Sequence, residues 1–192
     1  MPETYHAIRR KRRGITRQPH PAERPAHLRR INACRTMDWI TDQIAIGDCH
    51  DAATHAGEVD AVLCLLPDCC ETRSDVDGCC IPLHDGPGNC RTHVLAAIDY
   101  IALQVDQGNK VLVHCRAGRS RSVCIVAAYL MRHQGLSKRL AIATVAKKRQ
   151  ICLADGVDEI FKHLRDNCPG EGKRNFYARF RDFFRRPGKK GG

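Results

Sequence analysis

The sequence lacks three features: an apolar run long enough to cross a membrane, an N-terminal apolar segment that would direct secretion, and an internal repeat. The first absence leads us to expect a protein that is soluble or at most peripheral. The second argues against the extracellular setting in which its twelve cysteines would form a disulfide framework. We therefore expect a reducing, cytoplasmic compartment, with the nucleus as an alternative. Most cysteines are then small core residues, as in "AVLCLL" and "SVCIVAAYL".

The chain also lacks the length for two ordinary domains, since it has 192 residues. Its formal net charge of +11 is concentrated at the ends: residues 1–36 carry +8 and residues 169–192 carry +6, which leaves −3 for residues 37–168. We therefore expect one folded domain over 37–168, preceded by a disordered basic arm and followed by a basic, aromatic tail.

The two basic ends admit several interpretations. The arm contains "RRKRR", which fits a solvated tail, a nuclear or nucleic-acid-binding signal, or an organelle presequence, and Met37 is an alternative start of translation. The tail "KRNFYARFRDFFRRPGKKGG" alternates aromatic and basic residues. As an amphipathic helix it would pack on the domain, with acidic lipid head groups and RNA as alternative partners.

Two cysteine doublets raise the question of a metal site. Cys69-Cys70 and Cys79-Cys80 could bring four thiols together, and four thiolates bind zinc. Adjacent cysteines, however, make poor chelate geometry, and the pattern of the second doublet predicts the start of a strand, "CCIPL". We therefore predict no metal and no cofactor.

The middle of the chain alternates strand and helix patterns. "MDWITDQIAIGD" predicts a hairpin, "DAATHA" a short helix, Val59–Leu66 a strand buried on both faces, and "CCIPLHD" a shorter strand ending at Asp85. A helix after "GPGN" leads to a third buried strand, "KVLVH", and a third helical pattern follows "GRSRS". Two more helices are predicted over Ser137–Lys148 and Asp158–Leu164. This order predicts an α/β fold in which helices flank a small, mainly parallel central sheet.

The segment "VLVHCRAGRSRS" joins a buried strand to a helix, so the loop from Cys115 to Arg121 should lie at the carboxyl edge of the sheet, where open α/β sheets bind ligands. Backbone N–H groups in such a turn and at a helix N-terminus form an anion site, and Gly118 lets the turn close. A thiol placed there among arginines should ionise below its ordinary pKa. A thiolate beside a phosphate site predicts nucleophilic attack on phosphorus and a phosphocysteine intermediate.

These residues carry a family resemblance. "HCRAGRSRS" matches H-C-x5-R-S, the signature of the cysteine-based protein tyrosine phosphatases, and the stretch from "ITDQIAIGD" through "DEIFKHL" resembles the compact dual-specificity phosphatases. The resemblance implies that Cys115 is the nucleophile, that Arg121 clamps the phosphate, and that Ser122 eases departure of the thiolate. It also implies that His114 helps to set the pKa of the thiol. The residues it assigns to phosphate binding are Arg116, Ala117, Gly118, Arg119, Ser120 and Arg121.

Asp85, in "IPLHDGPGN", matches the position of the general acid in this family. The leaving oxygen must be protonated as it departs, and a water must later be deprotonated, so one carboxyl group can serve in both steps. Gly86 and Gly88 would permit this loop to close. The alternative interpretation of Asp85 is a turn residue, because "DGPG" is good turn chemistry.

The resemblance implies phosphorylated proteins as substrates, with a shallow pocket that accepts phosphotyrosine as well as phosphoserine and phosphothreonine. Arg116 and Arg119 leave open a phosphatase of phospholipid head groups, such as phosphoinositides or phosphatidylglycerophosphate, and the basic ends leave open an RNA 5′-phosphatase. An inactive module that only binds phosphorylated ligands is the non-enzymatic alternative. Cys115, Arg121 and Asp85 are all present, which favours the enzyme.

Overall fold

The computed structural model describes residues 37–54, 56–68 and 76–164. The arm, the tail and the Cys69-Cys70 doublet therefore lie outside the described residues, together with the predictions made for them. The strands are β1 (Asp38–Trp39), β2 (Ile44–Gly47), β3 (Ala61–Cys64), β4 (Asp77–Cys80) and β5 (Val111–His114). The helices are α1 (Cys49–Thr54), α2 (Arg91–Asp106), α3 (Arg121–Gln134) and α4 (Lys138–Ala146), with 3-10 helices at Ala56–Glu58 and Val157–Leu164.

The five strands form one sheet in the order β1-β2-β5-β3-β4. Only the β1–β2 pair of this sheet is antiparallel, and the other three pairs are parallel. The predicted α/β fold with a small, mainly parallel sheet is thus confirmed. His114 pairs with Gly47 on one side and with Cys64 on the other, so β2, β5 and β3 end at the same level. The segments that follow these strands are consequently neighbours.

The sheet is covered on both faces, which explains why its strands read as continuous apolar runs. Every residue of β2, β3 and β5 is buried. On one face Ile46, Leu63 and Val113 belong to the large core that includes α2 and α3, and on the other face Leu112 packs in a smaller cluster. Fully burying one such side chain contributes roughly 1.5–3 kcal/mol to stability. The helix that follows the 115–121 loop is therefore anchored in the main core.

Two element assignments differ from the sequence predictions. The strand expected to end at Asp85 instead spans Asp77–Cys80, because Pro82 has no N–H to donate to a regular ladder. The chain still follows β3 beyond this point: the Ile81 and Leu83 amides donate to Cys64 O and Leu65 O, at 2.9 and 3.2 Å. The last helix is a 3-10 helix over Val157–Leu164 rather than an α-helix.

The cysteines of the described residues have different environments. Of those that form no disulfide, four are buried (Cys64, Cys79, Cys115 and Cys124), and three are exposed (Cys49, Cys90 and Cys152). Cys80, in the second doublet, is disulfide-bonded. Within the described residues no cluster of three or more His, Cys, Asp or Glu could hold a metal ion. The same residues include no helix that is long and apolar enough to cross a bilayer.

Candidate active site

The sulfur of Cys115 lies at the junction between the sheet and α3. Cys115 directly follows β5, and α3 begins six residues later at Arg121. The Cys124 amide makes the first helical hydrogen bond, to Ser120 O at 3.0 Å. Cys115 is only 2 % exposed, and its Sγ lies 3.5 Å from the hydroxyl oxygen of Ser122. The loop thus holds the thiol between the end of a buried strand and the start of a buried helix.

The environment of Cys115 favours its thiolate. Burial opposes ionisation, but hydrogen bonds from the Ser122 hydroxyl and amide, the charge of Arg121 and the Gly118 amide outweigh it, so the pKa of the thiol lies below its ordinary value. A thiolate is the reactive form of cysteine. Cys115 is therefore a buried cysteine with the character of a nucleophile.

Arg121 turns its guanidinium toward the carboxyl ends of the neighbouring strands. Its Nη1 donates to Leu83 O at 3.2 Å and to Leu65 O at 3.4 Å. Its Nη2 lies 3.6 Å from a carboxylate oxygen of Asp85. The Nε atom is buried and makes no hydrogen bond within the described part of the chain. The side chain is thus held by two backbone carbonyls and lies beside the Asp85 carboxylate.

Both the backbone conformation at position 118 and the space around it require a glycine. Its φ of +62° is in the left-handed region, which side chains with a Cβ rarely adopt. A Cβ at this position would also collide with the backbone oxygen of Gly47 and with the guanidinium of Arg149. The 115–121 loop therefore packs directly against the end of β2, and a larger residue at 118 would separate the two segments.

Asp85 is connected to the 115–121 loop by the side chain of Ser120. The Ser120 hydroxyl donates to Asp85 Oδ1 at 2.6 Å and accepts a hydrogen bond from the Ala154 amide at 3.1 Å. This side chain is therefore not used to cap α3, although Ser120 occupies the N-cap position. The structure thus brings Asp85 together with the 115–121 loop, and its role as general acid stays a prediction.

Asn89 fixes the conformation of the 84–90 loop that carries Asp85. Its side chain accepts a hydrogen bond from the His84 amide at 2.8 Å and donates to His84 O at 3.1 Å and Gly86 O at 3.0 Å. His163 Nε2 donates to Asn89 O at 2.9 Å, which ties the loop to the last 3-10 helix. These contacts hold the loop beside Ser120 and Arg121.

His114 is fully buried at the end of β5. Burial lowers the pKa of its imidazole to about 4, and hydrogen bonding to the Cys115 backbone and the charge of Asp48 only partly oppose the shift. The ring is therefore neutral at pH 7. Any effect of His114 on the thiol must come from packing and hydrogen bonding rather than from a positive charge.

The remaining residues predicted to bind phosphate lie on the outer part of the loop. Arg116 and Ala117 are exposed, and Arg119 is half-buried. The ion pairs of the described residues do not include Arg116 or Arg119. Both guanidinium groups are thus available to neutralise an anion at the rim of the site.

Sequence reasoning missed two residues that organise this site. Asn89 could have been found, because an asparagine at the end of "DGPGN" is a common source of side-chain hydrogen bonds in turns. Arg149 could not, because "AKKRQ" reads as a basic, solvated helix end. The structure instead buries Arg149 beneath the 115–121 loop, where it contacts Gly118 and Ala117.

The structure thus brings Cys115, Arg121 and Asp85 together at the carboxyl edge of the sheet. The family model "Dual specificity phosphatase, catalytic domain" matches residues 47–159, which is more than half of the chain. The chain therefore belongs to the dual specificity phosphatase family. The predicted membership of the cysteine-based protein tyrosine phosphatase superfamily is confirmed.

Individual relatives resemble parts of the chain. It is 45 % identical over 60 residues to the putative tyrosine phosphatase 123R of Invertebrate iridescent virus 6, covering 31 % of this chain and 42 % of that protein. It is 46 % identical over 54 residues to dual specificity protein phosphatase 1 of Arabidopsis thaliana, covering 28 % and 27 %. The matched segments thus span less than half of these relatives. The structure of human DUSP28 has a similar fold, with a TM-score of 0.59 and 24 % identity over 68 % of this chain and 91 % of that chain.

Proposed function

We propose that this protein hydrolyses phosphate monoesters of phosphorylated proteins, on tyrosine and on serine or threonine, through a phosphocysteine intermediate. The observation that carries the proposal is the convergence of Cys115, Arg121 and Asp85. The thiol has a lowered pKa, and the guanidinium lies 3.6 Å from the carboxylate. Family membership supports the same chemistry.

In the first step the Cys115 thiolate attacks phosphorus while Arg121 and the loop amides bind the phosphoryl oxygens. The bond between phosphorus and the ester oxygen breaks, and Asp85 donates a proton to the departing oxygen. The Ser120 hydroxyl keeps the carboxyl group beside the loop, as its 2.6 Å hydrogen bond to Asp85 indicates. The products of this step are the free alcohol or phenol and phosphocysteine.

In the second step a water molecule attacks the phosphocysteine and Asp85, now ionised, accepts its proton. The S–P bond breaks, inorganic phosphate leaves, and the thiolate is restored. The Ser122 hydroxyl, 3.5 Å from Sγ, stabilises the departing thiolate by donating a hydrogen bond to it. No step calls for a metal ion, because the guanidinium and the amides supply the positive field.

The proposed catalytic domain spans residues 37–168, with the basic arm 1–36 and the basic, aromatic tail 169–192 outside it. A reducing compartment, the cytoplasm or the nucleus, suits an enzyme whose nucleophile is an ionised thiol, since a disulfide or an oxidised sulfur cannot attack phosphorus. The partners we propose are phosphorylated protein substrates. Lipid head groups and RNA serve as the comparison substrates in the test.

The test is a side-by-side measurement of kcat/KM with the full chain. The substrates are phosphotyrosine, phosphoserine and phosphothreonine peptides, a phosphoinositide, phosphatidylglycerophosphate and 5′-triphosphorylated RNA. We expect the phosphopeptides to be preferred by at least about tenfold, turnover to be insensitive to EDTA, and vanadate to inhibit. Preference for a lipid or for RNA would contradict the substrate class, and turnover of none of them would contradict the enzyme.

A further inference from the structure

Arg149 is a buried arginine that donates hydrogen bonds to backbone carbonyls of the 115–121 loop. It lies just beyond α4 and is 4 % exposed. Its Nη1 donates to Asp38 Oδ2 at 2.7 Å and to Ile46 O at 3.0 Å. Its Nε donates to Gly118 O, and its Nη2 lies 3.5 Å from Ala117 O. One guanidinium therefore contacts three backbone carbonyls, two of them in the loop.

By contacting Ala117 O and Gly118 O, Arg149 also fixes the orientation of the amide groups that follow these carbonyls. In a trans peptide the C=O of one residue and the N–H of the next point in opposite directions. When Ala117 O and Gly118 O face Arg149, the amides of Gly118 and Arg119 must face the other side of the loop. That side contains the sulfur of Cys115, whose pKa the Gly118 amide helps to lower.

We propose that Arg149 is a positioning residue for the phosphatase reaction: by holding the carbonyls of Ala117 and Gly118 outward, it holds the following amide groups inward, toward the thiolate and the phosphoryl oxygens. The inference rests on the proposed function of the loop. The hydrogen bonds of Arg149 to the loop go to the carbonyls of Gly118 and Ala117, so we assign it an action through these two peptide planes.

An arginine suits this task better than a lysine. Its planar group donates from three nitrogens in fixed directions, whereas an ammonium is a single point that cannot reach three separated carbonyls with the same geometry. The Asp38 carboxylate balances the charge, since the two groups lie 2.7 Å apart. The contribution we assign to Arg149 is therefore geometric, and a substitution that keeps the charge separates geometry from charge.

The experiment compares Arg149→Lys and Arg149→Met with the wild-type chain. Arg132→Met is the matched control, because Arg132 forms an ion pair with Asp99 at 3.4 Å on α3, away from the loop. Three readouts are measured: the pH dependence of alkylation of Cys115 by iodoacetamide, the Kd of tungstate by calorimetry, and kcat and KM for an aryl phosphate. Circular dichroism and thermal melting report whether each variant is folded.

We expect both Arg149 variants to raise the pKa of the Cys115 thiol and to weaken tungstate binding by about tenfold or more, because small displacements of reacting groups have effects of this size or larger. Arg132→Met should leave both quantities unchanged. If folded Arg149→Lys keeps the wild-type thiol pKa and tungstate affinity, the positioning role is wrong and charge alone matters. Should Arg149→Met fail to fold, the lysine variant alone decides the test.

The same readouts keep this inference separate from the proposed function. Alkylation of Cys115 requires no turnover, so a wild-type chain that fails to hydrolyse any phosphate ester but shows the expected shift on Arg149 substitution contradicts the enzyme and supports the positioning. A wild-type chain that turns over normally, with variants that bind tungstate and titrate as it does, contradicts the positioning alone.

Discussion

Cys115 in the 115–121 loop and Cys124 in the first turns of α3 are both buried, yet the pKa values of their thiols are shifted in opposite directions. Burial raises the pKa of Cys124 to about 12, and the charges of Asp158 and Asp85 add to the effect. Burial acts on Cys115 in the same direction, but the surrounding hydrogen bonds and Arg121 bring its pKa below the ordinary value. The two residues are nine positions apart in the sequence.

The difference follows from where the backbone donors are directed. Within α3 the amides are used by helical carbonyls, as in the bond from the Cys124 amide to Ser120 O, so no donor remains for a side chain. In the loop and at the helix N-terminus the amides are directed to the Cys115 sulfur instead. Burial alone therefore makes a cysteine inert, and the arrangement of the loop makes one reactive.

The strongest test of this difference between the two cysteines is to replace each of them in turn. Cys115→Ser should lower kcat for an aryl phosphate by about 10⁴-fold or more, since a serine hydroxyl at this position is not ionised at neutral pH. Cys124→Ala should keep kcat within about twofold and cost about 1 kcal/mol of stability, as expected for a small buried side chain. Comparable turnover by Cys115→Ser and the wild type would contradict the assignment of the nucleophile.

A smaller effect is expected from Asp85→Asn, which leaves the thiol in place but removes the proposed proton donor. We expect kcat to fall by about 10²-fold for an alkyl phosphate and less for a substrate with a good leaving group, because only a poor leaving group needs the acid. Asp155→Asn is the control, as its exposed side chain lies in the neighbouring loop. An equal loss with both leaving groups would move the acid role to another residue.

His114 is a third buried ionisable group, and burial determines the direction of its pKa shift. Its pKa is about 4 in the folded chain and about 6.5 in the unfolded chain, so between these values the unfolded state binds the extra proton. Folding stability should therefore fall as the pH falls through this window, by about 2 kcal/mol from pH 7 to pH 4.5 for this group. Denaturant unfolding of wild type and His114→Gln at both pH values measures it, and identical losses in the two proteins would show that His114 does not carry the effect.

Much of this architecture could be predicted because the main signals are local. A continuous apolar run such as Val59–Leu66 predicts a strand buried on both faces, and Cys115 with Gly118 and Arg121 predicts an anion site at a strand-to-helix turn. The strand that was predicted to end at Asp85 shows the limit of such local signals. The segment "CCIPLHD" runs beside β3 and donates two amide hydrogen bonds to it, but Pro82 prevents a regular ladder. The pattern marks an extended segment without giving its pairing.

The contacts between distant segments could not be predicted from their own sequences. Arg149 is brought beneath the loop by the packing of α3 and α4, and its partner Asp38 is 111 residues away. The hydrogen bond between Ser120 and Asp85 joins residues 35 positions apart. Both depend on the order of strands in the sheet, which single-sequence periodicity does not encode.

The packing of Gly118 against the end of β2 divides the 115–121 loop into an inner half that cannot vary and an outer half that can. Arg116 and Ala117 face solvent, so replacing them alters what the surface offers to an approaching molecule without disturbing the buried thiol. An engineer who wishes to redirect the proposed activity to a different molecule should therefore randomise these two positions first and leave the glycine unchanged.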